Sequence, residues 1–119
     1  MISDETFGKR EHILKSKDFR AVYRKGRSVK KSGFILSFMP NGLAHGRLGF
    51  SISSASVKRA CIRNRIRRLF REVYRRNRQA FKPSFDMVVI TKKASGKKFL
   101  YEEAHRIFLA LANEAGVLA

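Results

Sequence analysis

The sequence predicts one α+β domain, a mostly antiparallel sheet of about four strands with three helices, and three observations support that class. The chain has 119 residues, the ordinary length of a single domain that buries a real core. Segments with helix and strand periodicity follow in the order helix, strand, strand, basic helix, strand, helix. One strand has a small, polar face, as expected of an antiparallel sheet with one open side. We therefore expect residues 1–119 to form a single domain, with 1–15 as an N-terminal arm.

The first predicted helix begins at Ser16, after the polar arm, and stops at Gly26, a residue type favoured just beyond helix ends. Asp18 lies in the first turn, where a negative charge interacts favourably with the helix dipole. Three side chains recur at helical spacing and share one face: Phe19, Val22 and Tyr23. That face either packs in the core or lines a groove, and the spacing leaves both readings open.

Two strands follow, separated by turn residues at 40–42. Residues 33–39 alternate, with one face formed by Phe34, Leu36 and Phe38 and the other by Ile35, Ser37 and Met39. Residues 47–53 alternate more sharply, with Leu48, Phe50 and Ile52 opposite Arg47, Gly49, Ser51 and Ser53. The second face of that strand is small and polar, so it is suited to an extended ligand.

A strongly basic helix is predicted over residues 57–74, with a continuation to Arg78 and Ser56 as its N-cap. Its apolar residues fall in one narrow arc: Ile62, Ile66, Leu69, Phe70 and Val73. Residues 57–78 contain ten Lys and Arg and one Glu, a net charge of +9, half of the +18 of the whole chain. One face of this helix is therefore expected to pack, and the remainder to meet a polyanion.

The last two elements are a strand and a helix. Residues 86–91 include an unbroken apolar run, which predicts an interior strand covered on both faces. A basic loop over 92–98 leads to an amphipathic helix over 100–115, stopped by Gly116. The net charge of residues 101–119 is −2, so this end is expected to face away from the polyanion.

The charge balance, 27 Lys and Arg against 9 Asp and Glu, favours a negatively charged partner. Nucleic acid is the first candidate, an anionic membrane surface the second and acidic proteins a distant third. The single cysteine, Cys61, fits a reducing compartment, and no secretory or membrane-spanning pattern is present in the sequence, so a cytoplasmic location is expected.

The sequence contains no motif that would form a catalytic centre or a metal site. The three histidines and Cys61 lie at no spacing that resembles a metal site, and phosphate-loop and dinucleotide motifs are absent. We therefore predict no catalytic residue and no metal ligand in the protein itself. The pattern is typical of a nucleic-acid binder, in which arginines contact phosphates and set affinity.

The basic helix resembles the signature of the bacterial ribonuclease P protein subunit. The residues that carry the resemblance are Lys58-Arg59 and Arg63-Asn64-Arg65-Ile66-Arg67-Arg68-Leu69. The rest of the chain follows the same family layout at Phe7, Lys9, Asp18-Phe19, Val22-Tyr23, Gly26, Ser28, residues 49–53, residues 88–90 and residues 101–103.

The resemblance implies an activity and a set of contacts. In that family the protein assists a catalytic RNA that removes the 5′ leader of precursor tRNA, with Mg²⁺ held mainly by the RNA, and the basic helix lies in an unusual left-handed βαβ crossover. The implied contacts to the catalytic RNA are Lys58, Arg59, Arg63, Asn64, Arg65, Arg67, Arg68 and Arg71. The implied contacts to the single-stranded leader are Phe19, Tyr23, Phe34, Ser37, Ser51 and Ser53. Neither a membrane nor a protein partner is predicted.

Three departures from the family pattern affect these expectations: Ser54-Ala55 in place of a Lys pair, His12-Ile13 in the arm, and Ser37 in place of a frequent Tyr. The main alternative is a structural rRNA-binding ribosomal protein, which shares the charge and the mixed pattern. A membrane-surface helix is disfavoured because its apolar arc is needed for the core. A DNA-reading helix is disfavoured because arginines encircle the helix.

Overall fold

The computed structural model describes residues 16–91 and 100–118. Within them the chain forms three α-helices and one four-stranded sheet: α1 (Ser16–Lys25), β1 (Arg27–Lys31), β2 (Phe34–Pro40), β3 (Arg47–Ser51), α2 (Ala60–Arg76), β4 (Phe85–Thr91) and α3 (Tyr101–Ala115). The predicted α+β class is confirmed. The predicted arm over 1–15 and the basic loop over 92–98 lie outside the described residues.

The strands lie in the order β1-β2-β4-β3. β1 pairs with β2 and β2 with β4 in antiparallel fashion, whereas β3 and β4 are parallel. The sheet is therefore mostly antiparallel, and β4 is the interior strand that its apolar run predicted. Helix α2 connects the two parallel neighbours and so forms a βαβ crossover. The left-handed sense of that crossover stays a prediction.

One face of the sheet, here called the core face, is covered by α2 and α3. The buried side chains that meet there come from three of the four strands, β2, β3 and β4, and from both helices. They are Phe34, Leu36, Phe38, Leu48, Met87, Val89, Ile66, Phe70, Val73, Ala104, Ile107, Phe108 and Leu111. Phe70 is at the centre, with ring centroids 5.2 Å from Phe34 and 5.3 Å from Phe108. The apolar arc of the basic helix is thus a core element, as its periodicity predicted.

The opposite face, here called the α1 face, is covered only in part by residues 16–91 and 100–118. Val22 of α1 packs on Val88 of β4, and Phe19, Met39 and Ile90 surround that pair. This second cluster is small, and it is the only apolar cluster on this face among the described residues. Helix α1 is therefore held over the sheet by few side chains.

Strand β1 was not predicted as a separate element. The strand lies at the edge of the sheet and is largely exposed. Val29 is its single apolar side chain, so no alternation of apolar and polar residues marks it as a strand. The loop to β2 consists of Ser32 and Gly33, with φ of 53° and 83°. Two consecutive residues with positive φ are the geometry of a tight hairpin. The Ser-Gly pair was thus the available signal.

The predicted start of the basic helix is wrong by three residues. Ser56 does not cap α2: its N–H donates to Ser53 Oγ over 3.1 Å, and Val57 N–H donates to the Ser53 carbonyl over 2.9 Å. This turn directs Val57 into the core, where it is 5% exposed, and the helix begins afterwards at Ala60. At the other end α2 stops at Arg76, and a short 3-10 segment, Arg78–Ala80, replaces the predicted continuation.

Two predicted helix-ending glycines act differently. Gly116 adopts the left-handed conformation, with φ of 78°, and ends α3 as predicted. Gly26 does not have a positive φ. A Cβ at Gly26 would lie 2.4 Å from the Val22 carbonyl oxygen and 2.6 Å from that of Phe38. Glycine is therefore required there because α1 ends in close contact with the backbone of β2.

Candidate nucleic-acid interface

The polar side of α2 and the link that precedes it carry the residues predicted to bind RNA. The three with the most accessible charges are Lys58, Arg59 and Arg68, which are exposed. No hydrogen bond or ion pair within residues 16–91 and 100–118 engages their side chains. Charged groups without an internal partner are the ones that can neutralise phosphates without first breaking a contact. These three cations therefore form the most available part of the surface.

Other members of the predicted set are already engaged inside the protein. The Arg63 guanidinium donates to the backbone carbonyls of Val57 and Lys58, at 2.7 and 2.9 Å. Arg63 thereby fixes the path of the link that presents Lys58 and Arg59. Arg67 donates to Asn64 Oδ1 over 2.9 Å. One of the two lone pairs of the Asn64 amide oxygen is occupied in this way, and the amide NH₂ remains as a donor for a ligand.

Arg71 has a mixed role. Its guanidinium lies over the ring of Phe50, 5.3 Å from the centroid, and its Nε is buried without a hydrogen-bond partner. Burial lowers the pKa of Arg71, and the positive charge of Arg67 adds to the effect. Arg71 thus contributes to packing against β3 as well as to the charge of the surface. Arg65, the remaining arginine of the set, is half-buried on the same helix.

The C-terminal part of α2 is electrostatically different. Glu72 accepts hydrogen bonds from Arg75 and from Arg76, the latter at 2.9 Å. The hydrogen bond from Arg75 is the main reason why the pKa of Glu72 is lowered, with that from Arg76 adding to it. Arg76 also lies over the Tyr101 ring at 5.2 Å. The charge available to a polyanion is therefore concentrated in the link and the first turns of the helix.

The second candidate surface is on the α1 face, where the registers of the strands define rows of neighbouring side chains. The row here called the open row consists of Ile35, Ile90 and Ser51, with Lys30 at its β1 end. Ile35, Ile90 and Ser51 are each half-buried, and Lys30 is exposed. The next row contains Ser28, Ser37, Val88 and Gly49, and α1 covers it through Val22.

The surface between α1 and the open row, here called the α1 groove, is where the leader contacts were predicted. Tyr23 is 46% exposed, and its ring centroid lies 6.5 Å from that of the half-buried Phe19. Ser51 is in the open row, and Ser53 follows it, exposed. The structure therefore brings Phe19, Tyr23 and Ser51 to one side of the sheet, and their binding role stays a prediction.

Two predicted leader contacts are corrected by their positions. The placement of Phe34 in this groove is wrong, because its side chain lies on the core face, 5% exposed, with its ring tilted against that of Phe70. Ser37 is on the α1 face but only 3% exposed, and its hydroxyl pairs with that of Ser28 at 2.8 Å. The sequence reading missed Ile35 and Ile90, although the strand alternation placed Ile35 on the face opposite Phe34.

An ion-pair network holds the beginning of α1 at the sheet. Asp86 is 4% exposed and receives two hydrogen bonds from Arg47, at 2.8 and 2.7 Å, and one from Asn41 at 2.9 Å. Arg47 also reaches Asp18 of α1, at 3.4 Å. The hydrogen bond to Asp86 is the main reason why the pKa of Arg47 is raised. The sequence reading gave Asp18 only a helix-dipole role and missed this contact across three elements.

Two features are absent from the part of the chain that is described: a group of potential metal ligands and a membrane-spanning helix. No three His, Cys, Asp or Glu side chains among residues 16–91 and 100–118 are grouped so that they would hold a metal ion. None of the helices in those ranges is both long and apolar enough to span a bilayer. Cys61 is exposed and forms no disulfide.

Comparison with known proteins gives one consistent result. The profile of the Ribonuclease P family matches residues 7–114. The ribonuclease P protein component of Thermotoga maritima is 35% identical over 95 residues, covering 80% of each chain. That of Alkaliphilus metalliredigens is 34% identical over 107 residues, covering 90% of this chain and 95% of the relative.

Solved structures agree with the sequence comparison. The ribonuclease P protein of Staphylococcus aureus superposes with a TM-score of 0.80 at 27% identity, covering 92% of this chain and 98% of that one. The protein from Thermotoga maritima gives a TM-score of 0.78 at 28% identity, covering 88% and 97%. These relatives carry the ribonuclease P name, and nothing among them favours the alternative of a ribosomal protein.

Proposed function

Because the chain belongs to the ribonuclease P protein family, we propose that it is the protein component of a ribonucleoprotein endonuclease that matures the 5′ end of tRNA. In this proposal the partner is a catalytic RNA, the substrate is precursor tRNA and the reaction removes the 5′ leader. The location is the cytoplasm. The observation that carries the proposal is the separation of two surfaces, a cationic one on α2 and a partly apolar one in the α1 groove, on opposite sides of one sheet.

The cationic surface suits a structured RNA. Lys58, Arg59 and Arg68 are free to contact phosphates, and Arg63 holds the link that carries two of them. Contacts of this kind set affinity and orientation and are strongly dependent on salt. The apolar arc beneath them is locked into the core, so the cations are presented from a rigid element. We therefore assign α2 and its preceding link to the catalytic RNA.

The α1 groove suits a single strand. Tyr23 and Phe19 offer aromatic surface, Ile35 and Ile90 form an apolar floor, and Ser51 supplies a hydroxyl group. Stacking on aromatic rings tolerates every base, because each base has a π face. A leader varies in sequence from one precursor to the next, and this composition matches a ligand recognised by shape and stacking. We therefore assign the α1 groove to the leader.

The chemical step is proposed to belong to the RNA, with Mg²⁺ held mainly by RNA. The described carboxylates nearest the two surfaces are committed to arginines: Asp18 and Asp86 to Arg47, and Glu72 to Arg75 and Arg76. No three of them are grouped, within the described residues, so that they would hold a metal ion. The protein's own contribution is to bind the RNA and to hold the leader.

Reconstitution tests this proposal. The purified protein is combined with the catalytic RNA and a precursor tRNA at a low Mg²⁺ concentration, at which the RNA alone cleaves slowly. The expected result is faster cleavage at the mature 5′ end, because the protein adds affinity for the leader. The same RNA with Arg59→Ala/Arg68→Ala protein serves as a control for the docking surface. A cleavage rate equal to that of RNA alone would overturn the assignment.

A further inference from the structure

The sheet has two edge strands, β3, which leads into the link to α2, and β1 at the opposite edge. The β1 edge carries a second group of cations, which were assigned neither to the catalytic RNA nor to the leader. Residues 17–31, which cover α1 and β1, contain seven Lys and Arg and one Asp. That Asp is Asp18, already bound to Arg47. Three cations lie on the edge strand itself and are exposed: Arg27, Lys30 and Lys31. No hydrogen bond or ion pair within the described ranges engages their side chains.

The α1 groove leads to this edge. The open row crosses all four strands, from Ser51 on β3 through Ile90 and Ile35 to Lys30 on β1. Helix α1 runs in the same direction, because its first turn reaches Arg47 of β3 and its last turn ends beside Phe38 of β2, directly before β1. The groove therefore runs across the strands and has two ends, one at β3 and one at β1.

The two ends of the groove are not equivalent. The link to α2, which carries Lys58 and Arg59, begins directly after Ser51. In sequence, the β3 end is therefore the nearer of the two ends to the surface assigned to the catalytic RNA. The β1 end is an edge of the sheet formed by the described strands, with Lys30 on the α1 face and its neighbours in the strand, Val29 and Lys31, on the other. A single strand held in the groove passes from the first end to the second.

The length of the groove is short compared with a typical ligand strand. Three spacings between neighbouring strands of about 4.8 Å give roughly 14 Å. At the stacked spacing of about 3.4 Å per phosphate, that is roughly four nucleotides. A longer strand must continue past β1, where Lys30 is in line with the groove floor.

We propose that the β1 edge, through Lys30 on the α1 face and with Arg27 and Lys31 on the other face of the same strand, is a separate phosphate-binding site for the leader nucleotides farthest from the cleavage site. This inference rests on the proposed function. It adds a direction, with the cleavage-proximal end of the leader at β3 and its 5′ end at β1. It also adds a length dependence, since a leader of up to about four nucleotides ends inside the groove and does not reach the site.

Another explanation exists for lysines on an edge strand. Such residues prevent the free backbone groups of the edge from pairing with a second chain. In that case the cations would contact no RNA, and their removal would promote self-association instead. The same variants therefore distinguish the two explanations when binding and oligomeric state are measured together.

The experiment uses the holoenzyme and two precursor tRNAs that differ only in leader length, one of about three nucleotides and one of about twelve. The protein variants are Lys30→Ala, Arg27→Ala/Lys30→Ala/Lys31→Ala and the charge-retaining Lys30→Arg. Lys82→Ala is the matched control, because Lys82 is an exposed lysine outside the groove, whose N–H donates to the Val117 carbonyl. Substrate dissociation constants are measured over a range of salt concentrations, and sedimentation reports the oligomeric state.

The expected result is a several-fold loss of affinity for the long leader with the triple variant. The slope of affinity against salt should also become smaller, by about 0.7 for each phosphate that the variant no longer binds. The short leader, Lys30→Arg and Lys82→Ala should each stay close to the unmodified protein. Equal losses for both leaders, or unchanged binding with new self-association, would overturn the inference. A protein that gives no gain with either leader before any substitution would instead contradict the proposed function.

Discussion

The two faces of the sheet differ in how completely they are covered. The core face is sealed by α2 and α3, and Phe70, Phe108 and Leu111 there have no exposed surface. Among the described residues, the α1 face is covered by one ten-residue helix, and Ile35, Ile90 and Ser51 remain half-exposed. The comparison indicates that stability resides mainly on the core face, whereas the incompletely covered face remains available for a ligand.

Helix α2 joins the two roles. Its apolar arc belongs to the core face, and its cations face outward, so the RNA contact proposed above lies on an element whose position is fixed by packing. Helix α1 has no comparable foundation in the described part of the chain, where its apolar contacts are limited to the cluster around Val22 and Val88. Substitutions on the core face should therefore change mainly the free energy of unfolding, whereas substitutions on the α1 face should change mainly the binding of the leader.

The largest expected effect is on the core face. Phe70→Ala removes the ring that contacts Phe34 and Phe108 and should lower the free energy of unfolding by about 3–5 kcal/mol, the usual range for an aromatic ring deleted from a core. Denaturant unfolding followed by circular dichroism measures it. Tyr23→Ala on the other face is the control and should change stability by less than about 1 kcal/mol. A similar loss for both would contradict the division between the faces.

The network under α1 should give the next largest effect. Arg47→Ala leaves Asp86 buried with only Asn41 as a donor, so we expect a loss of about 3 kcal/mol, at the lower end of the range for a broken buried pair. Asp18→Asn removes only the longer contact and should leave stability nearly unchanged. Both variants should weaken binding of the leader, because each loosens the start of α1. If the Arg47→Ala protein is folded and still binds the leader normally, the ion pair between Arg47 and Asp18 is not needed to position α1.

Gly26 tests the other end of α1. Gly26→Ala places a Cβ against two backbone carbonyls and should cost about 1–3 kcal/mol through a displaced helix end. Gly42→Ala is a useful comparison, since Gly42 has a φ of 70° but open space around it. Thermal unfolding of the two variants separates crowding from backbone strain. If the leader affinity of Gly26→Ala is normal, the width of the α1 groove is not set by this contact.

The smallest effect concerns Glu72 and depends on pH. Its pKa is lowered in the folded state below the ordinary value of 4.5, so its stabilising contribution is present above pH 4.5 and is lost as the pH falls through the folded pKa. Glu72→Gln should therefore be slightly less stable than the unmodified protein at neutral pH and equal to it in strong acid. Melting temperatures across this range measure the difference. A gap that persists in acid would contradict the role of Arg75 and Arg76.

Much of this architecture could be predicted from periodicity, because one buried face repeats every two or 3.6 residues. The arc of Ile66, Phe70 and Val73 and the interior strand β4 were both found in that way. Strand β1 was not, since an exposed edge strand with one apolar residue has no such repeat. The start of α2 was misplaced because Ser53 and Ser56 pair with each other in a turn instead of capping.

The candidate site was less predictable than the fold. Charge alone identified the helix, yet it did not show that Arg63 and Arg67 are engaged within the protein and that Lys58, Arg59 and Arg68 are not. Alternation assigned Phe34 and Ile35 to opposite faces but did not say which face stayed open. The contacts among Asp18, Arg47 and Asp86 join residues far apart in the chain, and only the strand order brings them together.

The most direct test of the central claim compares one substitution on each surface in two assays. Arg59→Ala/Arg68→Ala should weaken binding to the catalytic RNA and, once the RNA is saturated, leave the contribution of the leader to substrate affinity unchanged. Tyr23→Ala should do the reverse, with normal RNA binding and a leader contribution reduced by about 1–3 kcal/mol, the usual value of stacking on one base. If each variant lowered both quantities to the same extent, the two surfaces would not be separate and the account would be contradicted.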